Sequence, residues 1–352
     1  MEELDQSFQI DDEFYVWSGS ANSDIVELIG LMFADEGEHR SKELLRWQYL
    51  EHLSGAEVCI AHTKAGLFEE PAALYAAFPT RFHVFDRVAT CYQSFDTLTA
   101  KKYRGRGLFP RLAEILYGRL AAKGVPLVYG IPNGESFGGF VRKLKWSSLD
   151  PLPTMIRPIG LRYLLVRANV RRPHIHSVAV EASPHIREVK QCSPEVSELI
   201  ARSNHGQKSG VIRDYDYLRW RLGRPGNSYR ILESRDEAGR LTGVLVFDLL
   251  PKHGCSVGYI MDHIVDVDYA HHGNQLITAG ITCLKASGAD VLLAWALPEN
   301  SSHRTLRRHG FINLPARMSP IELHLGYRLL GEGSEQLDRS EFAFSYLDSD
   351  TV

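Results

Sequence analysis

Ser94-Phe95-Asp96-Thr97-Leu98-Thr99-Ala100-Lys101-Lys102-Tyr103-Arg104-Gly105-Arg106-Gly107-Leu108-Phe109 is the stretch whose reading decides the fold of this chain. It begins with strand character, turns through two glycines, and runs into Leu108, Leu112, Ile115, Leu116 and Leu120. Those five lie on one face of a helix that stops at Lys123-Gly124. A strand, a glycine turn and a helix in this order can seat a phosphate. Glycines let backbone N–H groups turn toward a ligand, and the helix N-terminus adds a field that favours an anion. Arg104 and Arg106 add charge that can pair with phosphate oxygens. A turn of this kind also closes ordinary strand-to-helix junctions, so its surroundings must carry the rest.

Toward the N-terminus, Phe82-His83-Val84-Phe85 and Val88-Ala89-Thr90-Cys91-Tyr92 predict a hairpin turning at Asp86-Arg87. Toward the C-terminus, Pro126 to Ile131 reads as a buried strand. It is followed by Pro132-Asn133 and a short helix ending at Phe140-Val141-Arg142-Lys143-Leu144-Lys145-Trp146. The whole unit then recurs. Leu45-Arg46-Trp47-Gln48 returns as Leu218-Arg219-Trp220-Arg221, and Asp96, Tyr103 and Gly107 keep their intervals in Asp262, Tyr269 and Gly273. Pro132-Asn133 returns as Pro298-Glu299-Asn300, and Lys145-Trp146 as Gly310-Phe311. The separations between partners are 173, 166, 167 and 165 positions, which predicts a duplicated domain. The expected division is a first domain at 1–170, a linker at 171–184 that includes Pro173 and Pro184, and a second domain at 185–352.

These residues resemble the GNAT superfamily of N-acyltransferases. Arg104-Gly105-Arg106-Gly107 is similar to that family's coenzyme A signature, (Gln/Arg)-x-x-Gly-x-(Gly/Ala), and the segment from Asn133 to Trp146 resembles its closing Asn-x-x-Ala…Tyr-x-x-x-Gly-Phe pattern. The resemblance implies an α/β (α+β) fold of two tandem GNAT units, each a mixed, mostly antiparallel sheet flanked by helices. It also implies acyl-coenzyme A as cosubstrate, held around Leu98, Thr99, Arg104, Gly105, Arg106, Gly107, Leu108, Phe109 and Asn133. Two positions depart from the family. Phe140 stands where many members carry a proton-donating tyrosine, and Lys145 stands for the closing glycine.

Acyl transfer to an amine needs a group that accepts a proton from the attacking ammonium. Asp96, read in phase with Ser94 and Tyr92 on one strand face, is the first candidate, and Ser94 shares the catalytic assignment. The tetrahedral oxyanion would be held by a backbone amide near Leu98 or Thr99. Tyr92, Tyr129 and Asp262 are candidates for contact with the acceptor, and a water, a nearby tyrosine such as Tyr129, or direct transfer from the attacking amine to the thiolate could replace the missing tyrosine. The second glycine loop, Tyr269-Ala270-His271-His272-Gly273-Asn274-Gln275, has one glycine and no arginine and reads as degenerate.

The run from Ser94 to Phe109 resembles tandem acyltransferases that modify nucleotide-linked deoxyamino sugars for surface polysaccharide, with Ala100-Lys101 in place of His-Pro. The resemblance therefore implies a small amine acceptor, here a nucleotide-linked sugar. Two other readings remain open: an aminoacyl-transfer-RNA-dependent transferase of the peptidoglycan-bridge type, and a protein that binds acyl-coenzyme A without turnover. Composition bounds all three. The 352 residues are 44% hydrophobic and 24% charged, with a formal net charge of -3, which argues against a nucleic-acid partner. Five scattered cysteines, with no CxxC pair, predict neither a disulfide framework nor a zinc site. His174-Ile175-His176 and His271-His272 lack further ligands at metal spacing, so no metal is expected. The acidic start and the lack of a long apolar run predict a cytoplasmic protein with no membrane span. A homo-oligomer stays possible if a sheet edge is left uncovered.

Overall fold

The computed structural model describes residues 7–52, 54–84, 87–150, 152, 154–159, 184–203, 209–252, 254–315, 323–331 and 336–349. The hairpin turn at Asp86, the histidines at 174 and 176, and the expected linker up to residue 183 lie outside them.

The first half runs β1 (Phe8–Gln9), β2 (Phe14–Ser20), α1 (Ser23–Asp35), α2 (Lys42–Tyr49), β3 (Glu57–Thr63), β4 (Pro71–Val84), β5 (Arg87–Thr99), α3 (Leu108–Ala122), β6 (Leu127–Gly130), α4 (Gly134–Leu144), β7 (Ser147–Ser148) and β8 (Thr154–Pro158). The second half runs β9 (Ile186–Val189), α5 (Val196–Ser203), β10 (Ser209–Val211), α6 (Tyr215–Leu222), β11 (Arg230–Arg235), β12 (Leu241–Lys252), β13 (Cys255–Val265), α7 (Ala270–Ala286), β14 (Val291–Trp295), α8 (Ser301–Arg308), β15 (Ile312–Asn313), β16 (Gly326–Leu329) and β17 (Phe342–Ala343).

Two mixed sheets flanked by helices result, the α/β architecture expected from the sequence. The main path of the first is β1-β2-β3-β4-β5-β6-β16-β7, and the second is β15-β8-β14-β13-β12-β11-β9. Along both paths a parallel pair (β5 with β6, β13 with β14) interrupts otherwise antiparallel neighbours, and off the first path β10 pairs with β4 antiparallel and with β17 in parallel. The α3 face buries Leu108, Leu112, Leu116 and Leu120, the spacing expected from the sequence.

The halves exchange strands. β16, from the end of the chain, lies between β6 and β7, while β8, from before the linker, lies between β14 and β15. A cut of the covalent chain at 171–184 therefore does not separate the two sheets.

The halves also meet at an approximate dyad. Trp47 and Trp220 stack with centroids 4.7 Å apart and planes 5° from parallel. Trp47 Nε1 donates to the Trp220 carbonyl at 2.7 Å, and Trp220 Nε1 donates to the Trp47 carbonyl at 3.1 Å. Both indoles are buried with their N–H groups satisfied, which makes them core anchors rather than a ligand platform.

Candidate active site

The site is a fork in the first sheet. β5 and β6 pair in parallel from Tyr92↔Val128 to Ser94↔Gly130; β6 then ends, while β5 continues to Thr99. Gly130 suits the crowded fork, because a Cβ there would sit 3.0 Å from the Ser94 carbonyl and 3.2 Å from the Trp146 ring and would push these neighbours apart. Just beyond it β5 carries a bulge. Ala77 pairs with Ser94 and Tyr75 with Thr97, so Phe95 and Asp96 together face Ala76.

The bulge corrects the expected phase. Ser94 faces Tyr75, on the α3 side, but Asp96 has moved to the opposite face with Phe95. There Asp96 Oδ2 accepts from Arg40 and from the Tyr49 hydroxyl, each at 2.7 Å, and Phe95 packs on the Tyr49 ring. Asp96 is buried, and these recorded bonds fall on one of its oxygens. Alternation would have kept Tyr92, Ser94 and Asp96 on one face; the inserted residue breaks it.

Past the fork the chain enters a short turn at Lys101–Tyr103 and then α3. Glu70 anchors this turn, accepting from Lys102 at 2.7 Å and from the Tyr103 hydroxyl at 2.6 Å, and these bonds, Lys102 first, hold its carboxyl down at about 2. Gly105 and Gly107 take φ of 81° and 75°, the left-handed region that a side chain disfavours. Gly107 caps α3 without a side-chain bond, and a Cβ at either glycine would meet nothing within 4 Å. Among the described residues, the amides of Gly105 through Phe109 find no acceptor. They form an unfilled cradle at the positive end of a helix.

The arginines act differently from the simplest expectation. Arg104 donates to the Thr99 carbonyl at 3.1 Å and to Glu36 at 2.8 Å, bracing the turn against β5 and α1. Arg106 pairs with Glu13. Both are exposed, so each can still swing toward an anion.

The other predicted residues divide. Leu98 and Thr99 lie on β5 beyond the fork, opposite Leu74 and Ala73. The Leu108 side chain is in the core, so it can offer only its backbone, whereas Phe109 packs edge-on to Phe140 at 5.0 Å. Asn133 caps α4, its Oδ1 accepting from the Ser136 amide at 3.0 Å. Tyr92 is buried, and burial pushes its phenol up to about 12. Tyr129 lies deep in the core, donating to Gln93 at 3.1 Å, with its phenol pushed up by burial. Asp262 belongs to the equivalent fork of the second sheet.

Phe140 is buried against Trp146, with ring centroids 4.5 Å apart. On that same side a chain of polar groups runs from Trp146 Nε1 to the Tyr117 hydroxyl at 3.0 Å and on to the Tyr75 hydroxyl at 2.6 Å, which the Ser94 side chain also approaches. Sequence reading missed Arg40, Tyr49, Tyr75 and Tyr117. A signal for Arg40 was present: Arg213 lies 173 positions later, the interval that separates the two tryptophans.

In the second half, helix α7 begins directly after Tyr269, so His271, His272 and Gly273 are helical and no glycine turn forms. Gly273 is small because His263 and Val265 would meet its Cβ at 3.0 to 3.2 Å. The amide cradle is built once. Among the described residues no group of three or more His, Cys, Asp or Glu side chains is placed to hold a metal, and no helix is long and apolar enough to cross a membrane.

Residues 19–148 match the family model of the acetyltransferase (GNAT) domain. No curated protein matches the chain. Among solved structures, the fold is similar to that of Saccharomyces cerevisiae N-myristoyltransferase with bound myristoyl-CoA, at 14% identity and a TM-score of 0.61, covering 93% of this chain and 85% of that one. It is also similar to a protein of Enterococcus faecalis V583 described as a probable N-acyltransferase, at 12% identity and a TM-score of 0.61, covering 90% of this chain and 73% of that one. A GCN5-related N-acetyltransferase from Anabaena variabilis ATCC 29413 aligns at 10% identity with a TM-score of 0.62, covering 90% of this chain and 73% of that one. Residues 19–148 thus match a GNAT acetyltransferase domain, and the chain shares its two-sheet fold with these solved structures.

Proposed function

We propose that this protein transfers an acyl group from acyl-coenzyme A to the primary amine of a nucleotide-linked deoxyamino sugar. The observation that carries the cofactor's place is the row of unpaired amides from Gly105 to Phe109 at the head of α3, beside the fork where β5 and β6 part. The diphosphate rests on those amides, with Arg104 and Arg106 turning to it, and the pantetheine arm enters the fork. Past Ser94 the fork-facing amides of β5 have no partner strand. One of them can therefore meet the oxyanion without breaking a sheet bond.

In the transfer step the free amine attacks the thioester carbonyl, a C–N bond forms, and the C–S bond breaks. Asp96, held in place by Arg40 and Tyr49 through Oδ2, presents Oδ1 to the amine and takes up its proton directly or through a water. Phe140 has no proton to give the departing thiolate. Ser94, which approaches Tyr75 in the Tyr75–Tyr117–Trp146 chain, is the hydroxyl that stabilises it in this reading. The acceptor class rests on the Ser94–Phe109 run and its resemblance to sugar acyltransferases.

A second reading, binding without turnover, draws on Phe140 and on the pairing of Asp96 with Arg40. One assay separates the two: thiol release from acetyl- and 3-hydroxybutyryl-coenzyme A with a panel of nucleotide-linked amino sugars, using wild type and Asp96→Asn. Sugar-dependent release that falls at least tenfold in the variant is expected. Acyl-coenzyme A binding with no thiol release for any amine would replace transfer by sensing.

A further inference from the structure

The fork is duplicated, but its charge is not balanced in the same way twice. β13 and β14 pair from Val257↔Val291 to Ile260↔Ala294 and then part. A bulge at Met261 precedes Asp262, as the bulge at Phe95 precedes Asp96. Arg213 stands where Arg40 does. In the first half the aspartate has a guanidinium and a tyrosine hydroxyl; in the second, Leu222 takes the place of Tyr49 in the repeat, and the hydroxyl is lost.

Arg213 is also shared. Its Nε donates to Asp348 Oδ1 at 2.8 Å, and a second nitrogen donates to the other oxygen of the same carboxylate. Asp262 Oδ2 is left 3.4 Å from Arg213 Nε and, among the described residues, takes no hydrogen bond of ordinary geometry, although the Ser345 side chain also approaches this carboxylate. Two buried carboxylates therefore face one guanidinium, and burial pushes Asp262 up to about 6. A buried carboxylate lacking full compensation is costly, and a cation beside it relieves the cost.

Space for a cation exists at the same place. A cavity of about 60 Å³ opens in this fork, lined by Arg213, Asp262, Trp295, Ser302 and Ser345 among others. That is room for roughly four to six water-sized groups. It is not the transfer fork. Val211, on its wall, pairs with Phe82, and Phe82 pairs with Ala89, which lies seven residues of strand from Asp96, on the order of 20 Å.

We propose that the fork of the second sheet is a binding site for a small molecule carrying a primary ammonium group, held against Asp262 Oδ2. The site goes beyond acyl transfer and does not depend on it. The test is calorimetric titration of the full chain at pH 7.5 with ethanolamine, using ethylene glycol as the uncharged isostere. Asp262→Asn removes the charge. Ala296→Leu fills the cavity and leaves the charged groups alone, so the question stays answerable if the first variant fails to fold. Expected are saturable ethanolamine binding, at least tenfold weaker binding of ethylene glycol, and a loss of at least tenfold in each folded variant while acyl-coenzyme A binding is unchanged. Absence of binding to wild type at tens of millimolar, equal binding of the glycol, or unchanged binding in a folded variant would overturn the proposal.

Discussion

A single residue, His52, gives this fold a predictable weakness in acid. It is buried between Phe78 and Trp220, with ring centroids at 4.6 and 4.3 Å, and among the described residues neither ring nitrogen has a hydrogen-bond partner. Burial lowers its pKa to about 4, well below that of an exposed histidine. Below pH ~6.5 the unfolded chain takes up a proton that the folded chain refuses, so the stability from this group is complete above pH ~6.5 and drains away as pH falls toward 4. The full shift corresponds to about 3 kcal/mol. His263, also lowered to about 4 by burial, moves in the same direction, whereas Asp262, raised to about 6, opposes both. His52→Leu should therefore lose less stability between pH 7.5 and pH 5 than wild type, read as the difference in urea midpoints. An unchanged difference would show that His52 titrates normally.

At the scale of an element, the end of α4 exposes a cost left by the sequence. Lys145 caps the helix with φ of 54°, the one positive φ at a non-glycine position among the described residues. At the matching place in the second half Gly310 has φ of 81°. A side chain in the left-handed region costs about 1–2 kcal/mol, part of which glycine returns through its greater freedom when unfolded. Lys145→Gly should raise stability by about 1 kcal/mol, seen as a higher urea midpoint at unchanged slope. A lower midpoint would mean that the Lys145 side chain contributes more than its backbone loses. The same comparison explains why the closing glycine of the family pattern can be absent here: the cap geometry survives, at a strained residue.

For the whole molecule, the exchanged strands decide how it can be divided. Residues 1–170 alone would lack β16 and leave the β6 edge bare, while residues 171–352 alone would lack β8 beside β14. Each fragment would expose unpaired strand edges, a known route to aggregation. Expressed separately, the two should be insoluble or unfolded, and co-expressed they should copurify as one folded complex. A fragment 1–170 that is monomeric and cooperatively folded would show that the exchange is dispensable. The stacked Trp47 and Trp220, each donating to the other's carbonyl, are the second bond between the halves.

Local pattern alone determined a good deal of this protein. The α3 helix follows from its leucine spacing, the hairpin from its β-branched runs, and the cradle from two glycines that only a left-handed turn would demand. The duplication was equally legible, because helices and their capping turns repeat at nearly fixed intervals. Tertiary structure decided the rest, since the deciding contacts join residues far apart in the chain. A one-residue bulge turned Asp96 away from Ser94, and no alternation rule marks where a bulge will fall. Tyr129 fits a site pattern but lies in the core, because the second half covers it. The exchange of β8 and β16 leaves no trace in local sequence: a strand's own pattern records which face it buries, not which sheet completes it.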